Sequence, residues 1–300
     1  MVLLTGSKMK AIIFGINGQD GYYLNQLLQQ KNIKVIGVSR SKGEWLTGDV
    51  ADFLLVKKLI KDEQPDYIFH LAANSTTRHD VLFENHQTIS TGTLNILESA
   101  YQYSKHSKIF LSGSGLQFVN KGKPISEKDE FYAGSPYCVS RIQSVYAARY
   151  YRELGLSVYV GYFFNHDSPL RSERHINQKI IIAARRIAGG NNEKIEIGDI
   201  AVKKEFSFAG DIAKAVMILI QNNSVFEAAL GSGKAYSIKD WINICFTYFG
   251  LPWEPHVTQI KGFRSEYDIL VSDPSTIFSL GWTPETDINR LAELMITQLK

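Results

Sequence analysis

KAIIFGINGQDGYYL, residues 10–24, sets an apolar run, a glycine-spaced turn and the start of a helical pattern end to end. Ala11 to Phe14 suit a buried parallel strand, because both faces of such a strand are covered and polar alternation disappears. Gly15, Gly18 and Gly21 follow at three-residue spacing, and Tyr22 to Gln30 then carry Leu24, Leu27 and Leu28 on one helical face. The three glycines serve different ends. The first permits a tight turn, the second lets the backbone approach a diphosphate, and the third lets helix and strand pack closely. Free N–H groups at the helix start face the anion. Strand, turn and helix in this order predict a dinucleotide-binding turn rather than glycines that merely make turns.

Lys34 to Val38 read as the second buried strand and end in Ser39-Arg40. An acidic residue at that place holds an adenine ribose hydroxyl, whereas an arginine accommodates a 2′-phosphate. Arg40 therefore favours NADP, with NAD left open because Glu44 lies close by. Asp49 and Val50 end a further extended stretch that can flank the adenine, and a helix follows with Leu54, Leu55, Val56, Leu59 and Ile60. DYIFHLAA, residues 66–73, is the next strand; the small Ala72 and Ala73 let a ligand lie close to the backbone at its carboxyl end. A polar loop, Asn74 to Thr77, comes after it, then an amphipathic helix from Gly92 to Tyr103 and a strand from Lys108 to Ser112. The alternation predicts an α/β fold, a Rossmann-type doubly wound parallel sheet.

Tyr137 and Arg141 stand four residues apart in SPYCVSR, residues 135–141, and so share a helix face. There the cation can lower the phenol's pKa and hydrogen-bond a nicotinamide ribose, while the tyrosine exchanges a proton with a sugar hydroxyl. Ser114, at the preceding strand end, is placed to bond the same oxygen.

The chain has 300 residues and a formal net charge of +3, which allows two lobes and argues against a nucleic-acid partner. Two distant cysteines, Cys138 and Cys245, carry no CxxC spacing, and no apolar run reaches membrane-spanning length, so a cytoplasmic protein without a membrane partner is expected. The seven histidines show no metal-ligand spacing, and no metal is predicted. A dinucleotide-binding domain over residues 1–164, with 1–8 an extension, precedes a smaller substrate lobe over 165–300, into which 205–230 interleave a return to the first domain.

From Met9 onward the sequence resembles the extended short-chain dehydrogenases, and most of all the GDP-mannose 4,6-dehydratases. GINGQDGYYL at 15–24, EQPDYIFHLAANS at 63–75, SPYCVSR at 135–141 and FFNHDSPLR at 163–171 carry the resemblance, and the NHDSP segment is the most specific of them. The resemblance implies a GDP-sugar substrate oxidised at carbon 4 by a bound nicotinamide cofactor. It assigns cofactor contacts to Gly15, Gly18, Gln19, Asp20, Gly21, Arg40, Asp49, Val50, Leu71 and Ala73, and the catalytic position to Tyr137. Substrate contacts follow at Asn165, Lys179, Lys204, Arg264 and Glu266, with Ser75 in the polar loop, and a homodimer is expected through the helices at 92–103 and 137–154.

Three departures bear on the reaction. The family's lysine is Arg141, which keeps charge in a broader, planar group. The acidic residue that removes the carbon-5 proton and assists loss of water is Leu116, which cannot titrate. The arginine-rich loop after the second strand shrinks to the link from Arg40 to Thr47, which removes the family's basis for a tetramer. Oxidoreduction at carbon 4 is the leading expectation. Complete dehydration would require a relocated base, with Glu127, Asp129 and Asp167 the candidates, and a non-catalytic nucleotide-sugar-binding homologue is the third reading.

Overall fold

The computed structural model describes residues 8–298. Of the extension expected over residues 1–8, all but Lys8 lies outside the described residues. The strands are β1 (Lys10–Phe14), β2 (Lys34–Ser39), β3 (Leu46–Thr47), β4 (Tyr67–His70), β5 (Lys108–Ser114), β6 (Ser157–Phe163), β7 (His166–Asp167), β8 (Ile195–Ile197), β9 (Lys203–Glu205), β10 (Ser207–Phe208), β11 (Glu227–Leu230), β12 (Ala235–Ser237), β13 (Val257–Gln259) and β14 (Ile269–Leu270). The helices are α1 (Gln19–Gln30), α2 (Phe53–Glu63), α3 (Leu82–Asn85), α4 (Gly92–Tyr103), α5 (Pro136–Glu153), α6 (Ile176–Ala188), α7 (Ala209–Gln221), α8 (Ile238–Tyr248), α9 (Ser275–Ser279) and α10 (Ile288–Thr297).

Seven strands form one sheet in the order β3-β2-β1-β4-β5-β6-β11, and every pairing in it is parallel. Strand order reverses between β1 and β4, and an open sheet of this kind holds its ligand in the crevice beyond the carboxyl ends at that reversal. Alternating side chains divide the core into two layers. Ile12, Phe14, Val38, Ile68, Ile109 and Val158 pack with Val56, Ile96, Leu97 and Val145 on one face. Ala11, Ile13, Phe69, Phe110 and Tyr159 pack with Leu24, Leu28, Ile212 and Val216 on the other. The sheet is a doubly wound Rossmann-type α/β fold.

Helix α7 joins the second layer, and β11 pairs with β6, with Glu227 opposite Val160. A third core, with Ile180, Trp241, Phe246, Leu291 and Met295, gathers α6, α8 and α10 into the smaller lobe. The two regions meet at Glu205, fully buried at the end of β9. Its carboxylate accepts from Ser272 N at 2.6 Å, Ser272 Oγ at 2.5 Å, Ser232 Oγ at 3.1 Å and Gly233 N at 3.3 Å, and also from Ser232 N. Glu205→Ala strands these donors in the interior, and unmet buried groups of this kind cost about 3–5 kcal/mol. Denaturant titration is expected to show a loss of that size, with Glu205→Gln retaining most of the stability; a change below about 1 kcal/mol for the alanine variant would remove Glu205 from this role.

Several expected boundaries shift by a few residues. Helix α1 begins at Gln19, three residues before the apolar periodicity starts, because Gln19, Asp20 and Gly21 already take the first helical turn. Pro274 immediately precedes α9, and Asp273 Oδ1 accepts from Ser275 N at 3.1 Å. Gly281, at φ +90°, follows the end of that helix.

Candidate active site

The glycine turn is built by close approach. Gly15 has φ +92°, and a Cβ placed on it would stand 2.6 Å from Ala72 N at the end of β4. A Cβ on Gly21 would stand 2.5 Å from Gly15 O, so the turn and α1 touch backbone to backbone. Gly18 precedes the first residue of α1 with no side chain capping the helix start, which leaves its free N–H groups to an anion. A cavity of about 340 Å³ opens here, lined by Gly15, Gly18, Ser39, Arg40, Asp49, Val50, Leu71, Ala72 and Ala73. At its β2 end Asn17 Nδ2 donates to Ser39 Oγ at 2.9 Å and Ser41 Oγ at 3.0 Å, and Arg40 pairs with Glu84 at 2.9 Å. Glu44 is exposed and is not among the residues lining the cavity. Bare glycine backbone, a helix start and a cluster of hydroxyl and guanidinium donors fit a dinucleotide, with the Ser39-Arg40-Ser41 end suited to a phosphate.

A second cavity of about 380 Å³ continues past Gly18, Gln19 and Asp20 to Ser114, Leu116, Tyr137 and Arg141, with Ser75 on its wall. Ser135 caps α5, accepting from Cys138 N at 3.2 Å, and Pro136 opens the helix with no N–H to satisfy. Tyr137 is thereby fixed at the first turn, 7 % exposed. Ser114 Oγ accepts from Leu116 N at 3.3 Å, which leaves its O–H free to donate into the cleft. Gln117 is fully buried, and its Oε1 turns back to accept from Ser114 N at 2.9 Å, so it shapes the turn without facing the cleft.

Arg141 differs from the expected arrangement. Its guanidinium lies 5.1 Å from the centre of the Tyr137 ring and donates to Ser112 Oγ at 2.8 Å and to Ser112 O. A forked guanidinium reaches the β5 backbone and is tethered there, where an ammonium would be a point donor. Its Nε is buried with no partner among the described residues. Below it, burial and then the Arg141 charge push His70 down to about 4, so His70 is neutral.

The other end of the cleft is basic. Lys204 alternates with exposed Lys203 on β9 and is 8 % exposed, its ammonium held below its ordinary pKa by burial. Arg171, Arg174, His175, Asn165 and Asn177 line the same end. Asn165 Oδ1 is buried and unpaired among the described residues. Burial and the neighbouring Arg171 charge hold His175 down to about 4. Asn165 and Lys204, expected from the sequence as substrate contacts, line this end together with Arg174 and His175, which were not among the expected residues; the run of basic residues in PLRSERH after the NHDSP segment was the available signal.

Lys179, Arg264 and Glu266 stand apart from this cluster. Lys179 follows Asn177 by two residues on α6, which puts it on the opposite helix face, and its Nζ donates to Glu196 O at 2.9 Å. Arg264 is exposed on the segment before β14. Glu266 accepts from Thr77 Oγ1 at 2.5 Å, on the far side of Leu116. The three candidate bases are also accounted for. Glu127 bonds Thr276 Oγ1 at 2.6 Å and Ala229 N at 3.3 Å, beside β11 and α9. Asp129 accepts from Ser126 N at 2.7 Å on an exposed turn. Asp167 does line the cleft, with its oxygens occupied by Arg171 Nε at 3.2 Å and Asn177 Nδ2 at 2.5 Å.

The NHDSP segment ties the two ends together. His166 Nδ1 lies 2.7 Å from Phe164 O and Nε2 lies 2.7 Å from Asp20 Oδ1. Both partners only accept, so both ring nitrogens carry protons and the imidazole is cationic. Burial alone would lower the His166 pKa; the Asp20 charge and hydrogen bond raise it. Burial alone would raise the Asp20 carboxyl, and His166 holds it below the usual range. Gln19 joins the same clamp, donating to His166 O at 3.2 Å and accepting from Ser168 Oγ at 2.9 Å. Stability from the raised His166 is complete below its unfolded pKa of about 6.5 and is lost as pH rises through the folded value. That from Asp20 is lost only as pH falls through its lowered value. Thermal melts are expected to drop on the alkaline side, and His166→Phe should flatten that limb; an unchanged alkaline limb in the variant would count against the clamp.

No helix of the described residues is long and apolar enough to cross a membrane, and among them no group of three or more His, Cys, Asp or Glu could hold a metal ion.

Comparison with known proteins agrees with this geometry. The family model described as GDP-mannose 4,6 dehydratase matches residues 39–295. GDP-mannose 4,6 dehydratase 1 of Arabidopsis thaliana is 29 % identical, covering 96 % of this chain and 89 % of the relative. GDP-mannose 4,6-dehydratase of Vibrio cholerae is 27 % identical, covering 98 % and 94 %. Among solved structures, dTDP-glucose 4,6-dehydratase from Bacillus anthracis in complex with NAD superposes with a TM-score of 0.85 at 16 % identity, covering 97 % of this chain and 96 % of that one. RMD from Pseudomonas aeruginosa complexed with NADPH gives 0.84 at 19 % identity, covering 97 % of each. With the glycine turn, the tyrosine helix and the NHDSP clamp in one cleft, and the family model spanning most of its length, this chain belongs to the GDP-mannose 4,6-dehydratase family.

Proposed function

We propose that the protein is an NADP-dependent oxidoreductase acting at carbon 4 of a GDP-linked hexose or heptose, without eliminating water. The observation that carries this reading is Leu116. Ser114, Tyr137 and a cation at 141 are kept around one point of the cleft, while the only side chain at the family's acidic position is a hydrocarbon. A bound nicotinamide dinucleotide supplies the hydride acceptor and donor. Gly15, Gly18 and Gly21 hold its diphosphate by backbone, and Ser39, Arg40 and Ser41 supply donors suited to a 2′-phosphate, which is the support for NADP over NAD.

The sugar diphosphate fits the basic end, at Lys204, Arg171 and Arg174, which directs the opposite edge of the sugar toward Tyr137. There the Tyr137 oxygen exchanges a proton with the carbon-4 hydroxyl, Ser114 Oγ–H bonds the same oxygen, and the Arg141 guanidinium, tethered to Ser112, sets a positive charge beside the ring. Elimination would need a second base beside carbon 5. Leu116 cannot serve, Glu127 and Asp129 stand away from the cleft, and Asp167, which lines it, has its oxygens held by Arg171 and Asn177.

Mass spectrometry of nucleotides released from the denatured protein tests the ligand half of the reading. NADP and a guanosine diphosphate species are expected; NAD alone or a uridine nucleotide would overturn the assignment. A homodimer through α4 and α5 is part of the proposal, supported by the exposed Phe83, Leu94, Tyr146 and Tyr150 on α3, α4 and α5. Sedimentation is expected to give twice the chain mass at micromolar concentration, and a monomer would refute it.

A further inference from the structure

Past Leu116 the hollow space continues. A cavity of about 540 Å³ adjoins the sugar cleft of about 380 Å³. Leu116, Thr77 and Leu270 border both, so the half-buried Leu116 side chain is a partition one residue thick. The two spaces differ in charge. The sugar cleft holds Arg171, Arg174 and Lys204. The second cavity has no Lys, Arg or His on its wall and one carboxylate, Glu266.

The wall chemistry is specific. Phe118, Tyr132 and Tyr267 give aromatic surface. Glu266 spends Oε1 on Thr77, and its second oxygen has no hydrogen-bond partner among the described residues. Asn120 is committed to Ile269 O at 2.6 Å and Gly122 N at 2.9 Å, which leaves the carboxylate as the main open acceptor. Rings that cover C–H faces beside a carboxylate that accepts from hydroxyls suit a neutral polyol. A phosphate or carboxylate would meet the Glu266 charge with no cation on the cavity wall to offset it.

We propose that this second cavity is a subsite for the carbon-6 end of the substrate, taking a hydroxylated side chain longer than the single hydroxymethyl of a hexose, as a heptose presents. The inference rests on the carbon-4 reading above. With carbon 4 at Tyr137 and the diphosphate at Lys204, one flank of the ring faces Leu116, and of the two ring neighbours of carbon 4 only carbon 5 carries a carbon chain that can extend into the space beyond. A chain leaving carbon 5 then passes Leu116, whose hydrocarbon neither repels it nor competes for its hydroxyls, and ends against Tyr132, Tyr267 and Glu266. A glutamate at 116 would set a second carboxylate at the mouth of a cavity that already holds one.

The test is calorimetric binding of GDP-mannose, GDP-manno-heptose and GDP-mannuronate to the full chain, with no dependence on turnover. The heptose is expected to bind about tenfold tighter than the hexose, the size of one added carbon well seated in a pocket, and the acid more weakly than either. Val119→Trp, which fills the cavity from its wall, is expected to abolish the heptose preference. If that variant melts at lower temperature than the parent, Glu266→Leu, at an exposed position, serves instead and should lower the preference several-fold. Equal affinities for hexose and heptose, or a preference that survives both substitutions, would overturn the subsite while leaving the GDP-sugar reading intact. Binding of none of the three would overturn that reading and the subsite with it.

Discussion

Tyr137→Phe is expected to lower turnover by about 10²–10⁴-fold, or about 3–5 kcal/mol of barrier, while leaving nucleotide binding within a few-fold. The substitution removes one oxygen from a side chain whose position is set by other contacts. Ser135 and Pro136 start the helix, and Ile89, Cys138 and Leu116 pack against the ring. The ring face toward Arg141 also survives, so the guanidinium keeps its bond to Ser112. Only proton exchange with the sugar hydroxyl is lost. A split between turnover and binding measured by steady-state kinetics and calorimetry is the expected signature. If the protein were a binding module, the variant would match the parent in every readout.

Gly15→Ala should nearly abolish dinucleotide binding. A Cβ at φ +92° costs about 1–2 kcal/mol by itself. It would also stand 2.6 Å from Ala72 N and 2.8 Å from Ala72 Cα, backbone atoms with no rotamer to change. The turn or the segment after β4 must move, and both line the dinucleotide cavity. A loss of affinity of more than about 100-fold, measured by titration of NADP, is expected, since misplacing a site by about 1 Å has effects of that order. Gly43→Ala is the control. Nothing lies within 4 Å of a Cβ at that exposed position, and its affinity should equal the parent's.

Much of this arrangement can be read from residue order because local signals and burial agree. Helices α4, α6 and α7 begin and end where apolar periodicity does, and β1 is as buried as its unbroken apolar run implies. The short pairings escape such reading. β7 and β10 contribute two residues each and pair across about forty positions, too short to show a period of two. The site divides in the same way. Tyr137, Arg141 and Ser114 are close in sequence or at strand ends, and their convergence follows from the sheet. Arg174 and His175 enter from an irregular segment of the second lobe, and Lys179 turns away only because of its phase on α6. The tether of Arg141 to Ser112 depends on side-chain length and direction across two elements, which spacing along one helix does not express.

The proposed departure from the family's dehydration rests on Leu116. Its consequence is read most directly with GDP-mannose deuterated at carbon 4, incubated with the wild-type protein and NADP and followed by mass spectrometry of both nucleotides. Deuterium is expected in the nicotinamide, together with a sugar nucleotide that has lost two hydrogens or has exchanged its label, and no species lighter by a water. A product that has lost water from unmodified wild-type protein would contradict carbon-4 oxidoreduction without elimination.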